Sequence, residues 1–196
     1  MKNRRVAATI AMALTALFSL AGCAVSTGGG AHDMPGMGSS ALPADVNNAD
    51  IMFTTMMIPH HEQAIEMADM VIDEDGIDPR VVALAKTIKA AQGPEIELME
   101  SWLDEWGTRM GDMDDMGGMG DGMMSGTDMQ ALEDATGDEA SQLFLEQMIE
   151  HHEGAIDMAQ SEVDNGENPD VTGLAESIIQ SQTAEIATMR EILATL

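Results

Sequence analysis

Two histidine pairs, each flanked by methionines, are the residues of this sequence best suited to chemistry. The first pair lies in MMIPHHEQAIEM, from Met56 to Met67, and the second in QMIEHHEGAIDM, from Gln147 to Met158. Four of the five histidines therefore belong to two copies of one pattern, 91 positions apart. This repetition indicates that the same chemical task is performed by both copies.

In a helix, the histidines and methionines of each copy share one face, because side chains advance by about 100° per residue. The two faces carry Met57, His60, His61 and Met67 in the first copy and Met148, His151, His152 and Met158 in the second. Small alanines beside them leave room for a ligand. Imidazole suits zinc, copper, iron and nickel, whereas the soft, neutral thioether selects Cu(I). The sequence therefore predicts copper binding, with Cu(I) favoured and Cu(II) or zinc as alternatives.

A purely structural role is the alternative for the same residues. Methionine at helical spacing commonly fills a core, and a histidine on an apolar face is often a satisfied core residue. The double occurrence, together with twenty methionines and a single cysteine, favours the metal role. Since a ligating imidazole must be neutral, metal affinity is expected to fall below a pH of roughly 6.5.

The elements that must position these residues are predicted to be helices. Apolar residues recur every three or four positions from about Asn47 until Gly76, and Asp78-Pro79 is typical of a second helix start, reaching about Trp106. The second half repeats this plan, with Gly166 and Asn168-Pro169 at the equivalent positions. Two helical hairpins that bury their apolar faces against each other predict an all-α, four-helix bundle.

Two polar positions recur near the apolar face of the second helix of each hairpin. They are Gln92 and Glu95 in the first half and Gln182 and Glu185 in the second. A carboxylate there could accept the free N–H of a metal-bound imidazole. Solvated positions at the edge of the helix are the alternative.

The two halves are joined by a segment rich in Gly, Asp and Met. Residues 107–126 carry methionines at every third position from Met110 to Met119, and their composition predicts a loop. A capping-box pattern from Thr127 to Gln130 then predicts a short helix before Gly137. The expected organisation is a leader over 1–22, a tether over 23–46, repeat one over 47–106, the linker over 107–126 and repeat two over 127–196.

The first 22 residues have the basic start and apolar run of a secretory leader. The sequence Leu-Ala-Gly-Cys at its end resembles a bacterial lipobox, which implies lipidation of Cys23 and a location in the cell envelope, outside the cytoplasm. An uncleaved membrane anchor is the alternative. Which membrane would carry the lipid is left open by the sequence.

Charge narrows the range of partners. The leader has three of the eight basic residues and no acidic ones, so its removal changes the formal net charge from −27 to −30. Nucleic acid and bare anionic membrane are therefore excluded as partners, and cations are favoured. A copper-recipient protein is a further expected partner, and the oligomeric state is left open.

Enzymatic motifs are incomplete in both copies. His61-Glu62 begins like the zinc-protease helix, but Ile65 occupies the position of the second histidine. No Glu precedes a motif histidine by three positions, as a di-iron bundle requires. We therefore expect a binding protein and not an enzyme. The alternatives are a lipid-tethered acidic module that binds a partner protein, and a copper-dependent oxidase or metal-dependent hydrolase.

With these residues established, the chain resembles the family catalogued as domain of unknown function 305, whose motif reads much like MMIPHH-x-x-AI-x-MA. The matches are Met56 to Ala68 and Gln147 to Ala159, and the resemblance extends over about Asn47 to Leu196. It implies a duplicated, ferritin-like helical bundle that is often exported, and in some members copper binding. It extends the expected ligand set to Met99 and Met189 on the neighbouring helices.

The second copy departs from the family motif at two positions. Gln147 replaces the first methionine and Glu150 replaces the proline found at Pro59. Proline removes a backbone donor and is expected to interrupt the first helix, so that His60 and His61 point differently from their counterparts.

Overall fold

The computed structural model describes residues 42–108 and 122–196, which contain helices and no strand. The helices are α1 (Asn48–Ile72), α2 (Pro79–Trp106), α3 (Gly126–Asp134), α4 (Gly137–Asn165) and α5 (Pro169–Leu193). The predicted all-α class is confirmed, with five helices in these ranges instead of four. The leader, Cys23, nearly all of the tether and linker residues 109–121 lie outside the described residues. Among the described residues, no helix is long and apolar enough to cross a membrane.

The helix starts predicted at Asp78-Pro79 and Asn168-Pro169 are confirmed. Asp78 and Asn168 accept backbone N–H bonds through their side chains, and Pro79 and Pro169 occupy the first helical positions. Proline is well tolerated there because its missing N–H has no intrahelical partner in any case. At the start of α1, Asn47 completes a reciprocal capping box.

Pro59 does not interrupt α1, so the expectation of a broken helix is wrong. The helix is continuous through it, although an interior proline costs about 3 kcal/mol or more in helix stability. Pro59 is exposed, while its neighbours Ile58 and His60 are almost completely buried. Packing of these neighbours therefore holds the helix together across the proline.

Helices α1 and α4 pack against each other in antiparallel orientation. His60 contacts His151 near the middle of both helices. Near the start of α1, the side-chain amide of Asn47 donates to the backbone oxygen of Asn165 at the end of α4. Helix α2 packs on α1, and α5 packs on α4. The two motif helices thus form the centre of the bundle.

A polar layer divides the core of the bundle in two. Core half one contains the buried apolar residues of 64–88, 124–148 and 186–192, and core half two contains those of 46–58, 99–106 and 155–178. On each of the four long helices the boundary between the halves lies at a polar stretch. These stretches are His60-His61, Gln92 to Glu95, His151-His152 and Gln182 to Glu185.

Helix α3 and the residues before it close core half one. Met124 is buried, and its backbone N–H and oxygen both bond to the side-chain amide of Gln63 on α1, at 2.7 and 3.0 Å. Met124 lies in the non-helical residues before α3, as the predicted loop requires, but the chain packs onto the bundle at this point. The sequence did contain a sign of this, because Met124 and Met129 flank the N-cap Ser125 at the spacing of a hydrophobic staple.

The two glycines that match in sequence, Gly76 and Gly166, serve different purposes. Gly76 has a φ of +86°, a conformation that favours glycine. Gly166 has a φ of −69°, but a Cβ there would lie 2.0 Å from Oε1 of Glu162. The backbone oxygen of Glu162 would lie 2.9 Å from that Cβ, so glycine is favoured here by close approach of α4 and not by its backbone conformation.

Glu162 belongs to a buried acidic pair that links α4 to α1. Its partner Asp50 is fully buried and accepts backbone N–H bonds from Glu167 and Asn168, in the turn between α4 and α5. Burial, followed by the neighbouring carboxyl group of Asp50, raises the pKa of Glu162 to about 8. Glu162 therefore folds most favourably in its protonated form.

We predict that Glu162→Gln removes a pH-dependent loss of stability. Because the pKa of Glu162 is higher in the folded than in the unfolded chain, its contribution is complete below pH 4.5 and is lost as pH rises through about 8. Urea unfolding between pH 5 and 9 should show the wild-type midpoint falling relative to that of the variant. The exposed Glu150→Gln on the same helix is the control, and parallel pH profiles for wild type and Glu162→Gln would contradict the prediction.

Candidate metal centre

The four motif histidines converge where α1 and α4 cross. The ring centroids of His60 and His151 are 3.7 Å apart, with the planes inclined by 37°. All four rings are at most 1% exposed. The sequence left open whether the two motifs meet, and the structure brings their imidazoles together in the polar layer.

Each outer histidine is held by a carboxylate from the second helix of its own repeat. Nε2 of His61 lies 2.8 Å from Oε2 of Glu95, and Nε2 of His152 lies 2.7 Å from Oε2 of Glu185. When the ring is neutral, the carboxylate keeps the proton on Nε2 and leaves the lone pair of Nδ1 free. Within the described residues, Nδ1 of His61 and of His152 has no hydrogen-bond partner.

The polar layer is completed by two buried glutamines. Gln92 and Gln182 are each 3% exposed, so the alternative of solvated edge positions is wrong for them. Both amide atoms of Gln92 lack a hydrogen-bond partner in the part of the chain that the structure describes. Buried polar atoms are normally paired, so these atoms and the free Nδ1 positions fit a layer that receives water or an ion.

The electrostatics of the layer keep His151 uncharged. Burial has the largest effect, and the neighbouring imidazoles of His60, His152 and His61 add to it, so that the pKa of His151 lies far below its usual value. The expectation that protonation near pH 6.5 controls the histidines is therefore wrong for His151. This ring remains available as a neutral ligand at physiological pH.

The predicted methionine ligands form two groups, one on each side of the polar layer. The first group, in core half one, is Met67, Met148 and Met189. The second group, in core half two, is Met57, Met99 and Met158. Five of the six are fully buried, and Met158 is partly buried. Each group takes methionines from both repeats, so neither repeat contains a complete set.

A metal ion in this region would need these thioethers. Across residues 42–108 and 122–196, no three His, Cys, Asp or Glu side chains are arranged to hold a metal ion. Imidazoles and thioethers together form a softer ligand set than imidazoles and carboxylates. The chemistry of the available donors therefore fits a soft ion better than zinc.

Comparison with known proteins shows the family of the chain. The family model described as domain of unknown function (DUF305) matches residues 50–193. The chain belongs to the DUF305 family. No functionally curated protein matches the sequence.

Solved DUF305 structures share the fold over most of their length. A protein from Streptomyces coelicolor that is proposed to be secreted has 34% identity and a TM-score of 0.70, over 75% of this chain and 93% of that one. A DUF305 fragment from Deinococcus radiodurans has 30% identity and a TM-score of 0.70, over 77% and 99%. CopM in its Cu(I)-bound form has 34% identity and a TM-score of 0.62, over 74% and 96%. CopM has also been solved bound to Cu(II) and to silver.

The departures of this DUF305 chain from the family motif leave the histidine geometry intact. The two His–Glu hydrogen bonds have nearly equal lengths in the repeats with and without Pro59. Gln147, which replaces the first motif methionine, instead donates from Nε2 to the backbone oxygen of Asp128, at 3.0 Å. This hydrogen bond connects Gln147 on α4 to α3.

We predict that Glu95→Ala destabilises the metal-free protein by about 1 to 3 kcal/mol, because the buried Nε2 of His61 loses its acceptor. Glu97→Ala, at an exposed position of the same helix, should change stability by less than about 0.5 kcal/mol. Urea unfolding followed by tryptophan fluorescence measures both. Equal urea midpoints for the two variants would contradict the prediction, because the hydrogen bond would then contribute nothing to the free energy of unfolding.

Proposed function

We propose that this protein binds Cu(I) outside the cytoplasm and sequesters or delivers it. The observation that carries the proposal is the buried layer of four imidazoles with three methionines on either side. The proposed ligands are Met57, His60, His61, Met67, Met99, Met148, His151, His152, Met158 and Met189. CopM, a relative solved with copper and with silver, supports the same metal class.

The oxidation state follows from the donors and their burial. Thioethers are neutral and soft, so they favour Cu(I) over Cu(II) or zinc. Charge is expensive to bury, and a monovalent ion costs less than a divalent one. The carboxylates of Glu95 and Glu185, hydrogen-bonded to His61 and His152, partly balance that charge. Methionine also binds without deprotonation and forms no disulfide, which suits an oxidising compartment.

We infer that the polar layer serves two half-sites and not a single central one. His60 and His151 contact each other at the centre, while the methionine groups lie in separate core halves. On this proposal α1 with α2 and α4 with α5 are the duplicated hairpins of a ferritin-like four-helix bundle, to which α3 is an addition.

We further propose that the leader directs export and that a lipid on Cys23 anchors the bundle to the cell envelope through the tether. The linker methionines would collect copper at lower affinity and raise its local concentration beside the bundle. A recipient protein in the same compartment would then accept the ion. The negative charge of the protein would attract cations during collection by the linker, binding by the bundle and transfer to the recipient.

We predict that changing all four motif histidines to Ala abolishes tight Cu(I) binding. Anaerobic competition titration of the chain from Ala24 onward measures the affinity. A second variant changes the three methionines of the first group to Leu, which nearly conserves side-chain volume, so its loss of affinity would not reflect unfolding. If both variants bind as tightly as wild type, the buried residues are structural and the proposed function is wrong.

The collector role of the linker is tested separately. Changing Met110, Met113, Met116 and Met119 to Leu should lower the number of Cu(I) ions bound while leaving the tightest affinity unchanged. The control changes four aspartates of the same segment to Asn, which keeps its thioethers but reduces its charge; these are Asp112, Asp114, Asp115 and Asp121. An unchanged stoichiometry in the Met variant would remove the collector from the proposal.

A further inference from the structure

A pocket of about 200 Å³ opens between the first half of α1 and the second half of α4. Three methionines line it, Met52 and Met56 from α1 and Met158 from α4. Asp157 and Glu162 belong to the same lining, but only Asp157 is exposed, and the carboxyl oxygens of Glu162 are buried. Methionine side chains and one exposed carboxylate thus border the same solvent-facing cavity.

Core packing does not account for Met52. Met52 is 42% exposed, although burial of a large apolar side chain would be favourable. Met52 and Met56 are four residues apart and therefore lie on one face of α1. Both side chains line a pocket that opens to solvent, whereas the methionines of the core are fully buried.

The equivalent region of the other half of the chain is covered by α3 and lacks the counterparts of the Met52 and Met56 thioethers. At the 91-residue offset, Leu143 replaces Met52 and Gln147 replaces Met56. Gln147 is buried and bonds to the backbone of Asp128, so α3 covers this end of the groove between α1 and α4. The thioether pair occurs only where the groove is open.

Met158 connects the pocket to the interior. It lines the pocket, and it also packs against core half two, where Met57 and Met99 are buried. A cation held by Met52, Met56 and Met158 would therefore already touch one member of the second methionine group. Transfer inward requires the exchange of thioether ligands, with no change in the charge of the ion.

We propose that this pocket is the loading site through which a soft monovalent cation of the Cu(I) class reaches the second methionine group. The inference rests on the proposed function, since it supplies the route to the interior site. The exposed carboxylate of Asp157 and the net charge of −27 draw cations toward the opening. Specificity for a soft ion comes from the three thioethers.

The first test compares uptake rates in the full chain held in mild detergent. Stopped-flow transfer of Cu(I) from a chromophoric chelator should show a fast phase that is lost in Met52→Leu/Met56→Leu, while the equilibrium affinity stays at the wild-type value. The matched control is Met70→Leu/Met129→Leu, two partly buried methionines of core half one, which should keep the fast phase. An unaffected fast phase in the pocket variant, or equal slowing in both variants, would overturn the proposal.

The second test separates failure of the loading site from failure of the proposed function. Silver(I) is titrated into protein labelled with ¹³C at the methionine methyl groups, in wild type and in the variant lacking all four motif histidines. We expect the methyl signals of Met52 and Met56 to shift in both proteins. Shifts of Met57 and Met99 without any at Met52 or Met56 would overturn the loading site alone. Shifts confined to the pocket in wild type would contradict the interior site and, with it, the transfer step.

Discussion

The burial of four imidazoles where α1 and α4 cross is the constraint on which the rest of the structure depends. Polar rings in an apolar interior need partners, because an unpaired buried polar group costs about 1 to 3 kcal/mol. Glu95 and Glu185 meet that need for His61 and His152, and this requirement sets the register of α2 and α5 against the motif helices. A continuous apolar core is then impossible, so the apolar residues separate into two halves.

Local features explain why much of this could be predicted from the sequence. Helix starts depend on a few adjacent residues, and the predicted caps Asp78 and Asn168 are present. The capping box predicted from Thr127 to Gln130 is wrong by two residues, because Ser125 and Asp128 form it instead. The carboxylate partners could be anticipated because Glu95 and Glu185 recur at equivalent positions of a repeat. A pattern that occurs twice supplies information that a single histidine beside a methionine does not.

Long-range packing explains what could not be predicted. The continuity of α1 across Pro59 depends on burial of its neighbours against other helices. The role of Met124 depends on Gln63, which lies 61 residues away in the sequence and holds both of its backbone polar groups. The separation of the methionines into two mixed groups depends on how α1 and α4 cross. Apart from the staple spacing of Met124 and Met129, none of these properties is encoded in a window of neighbouring residues.

The turn between α4 and α5 is bound to the start of α1 through Asp50, which accepts the backbone N–H groups of Glu167 and Asn168. These hydrogen bonds join the second half of the chain to the first at a point remote from the histidines. Together with the mixed methionine groups, they mean that each half of the chain takes part of its packing and hydrogen bonding from the other. A substitution at Asp50 would therefore disturb the turn before α5, which lies 117 and 118 residues away in the sequence.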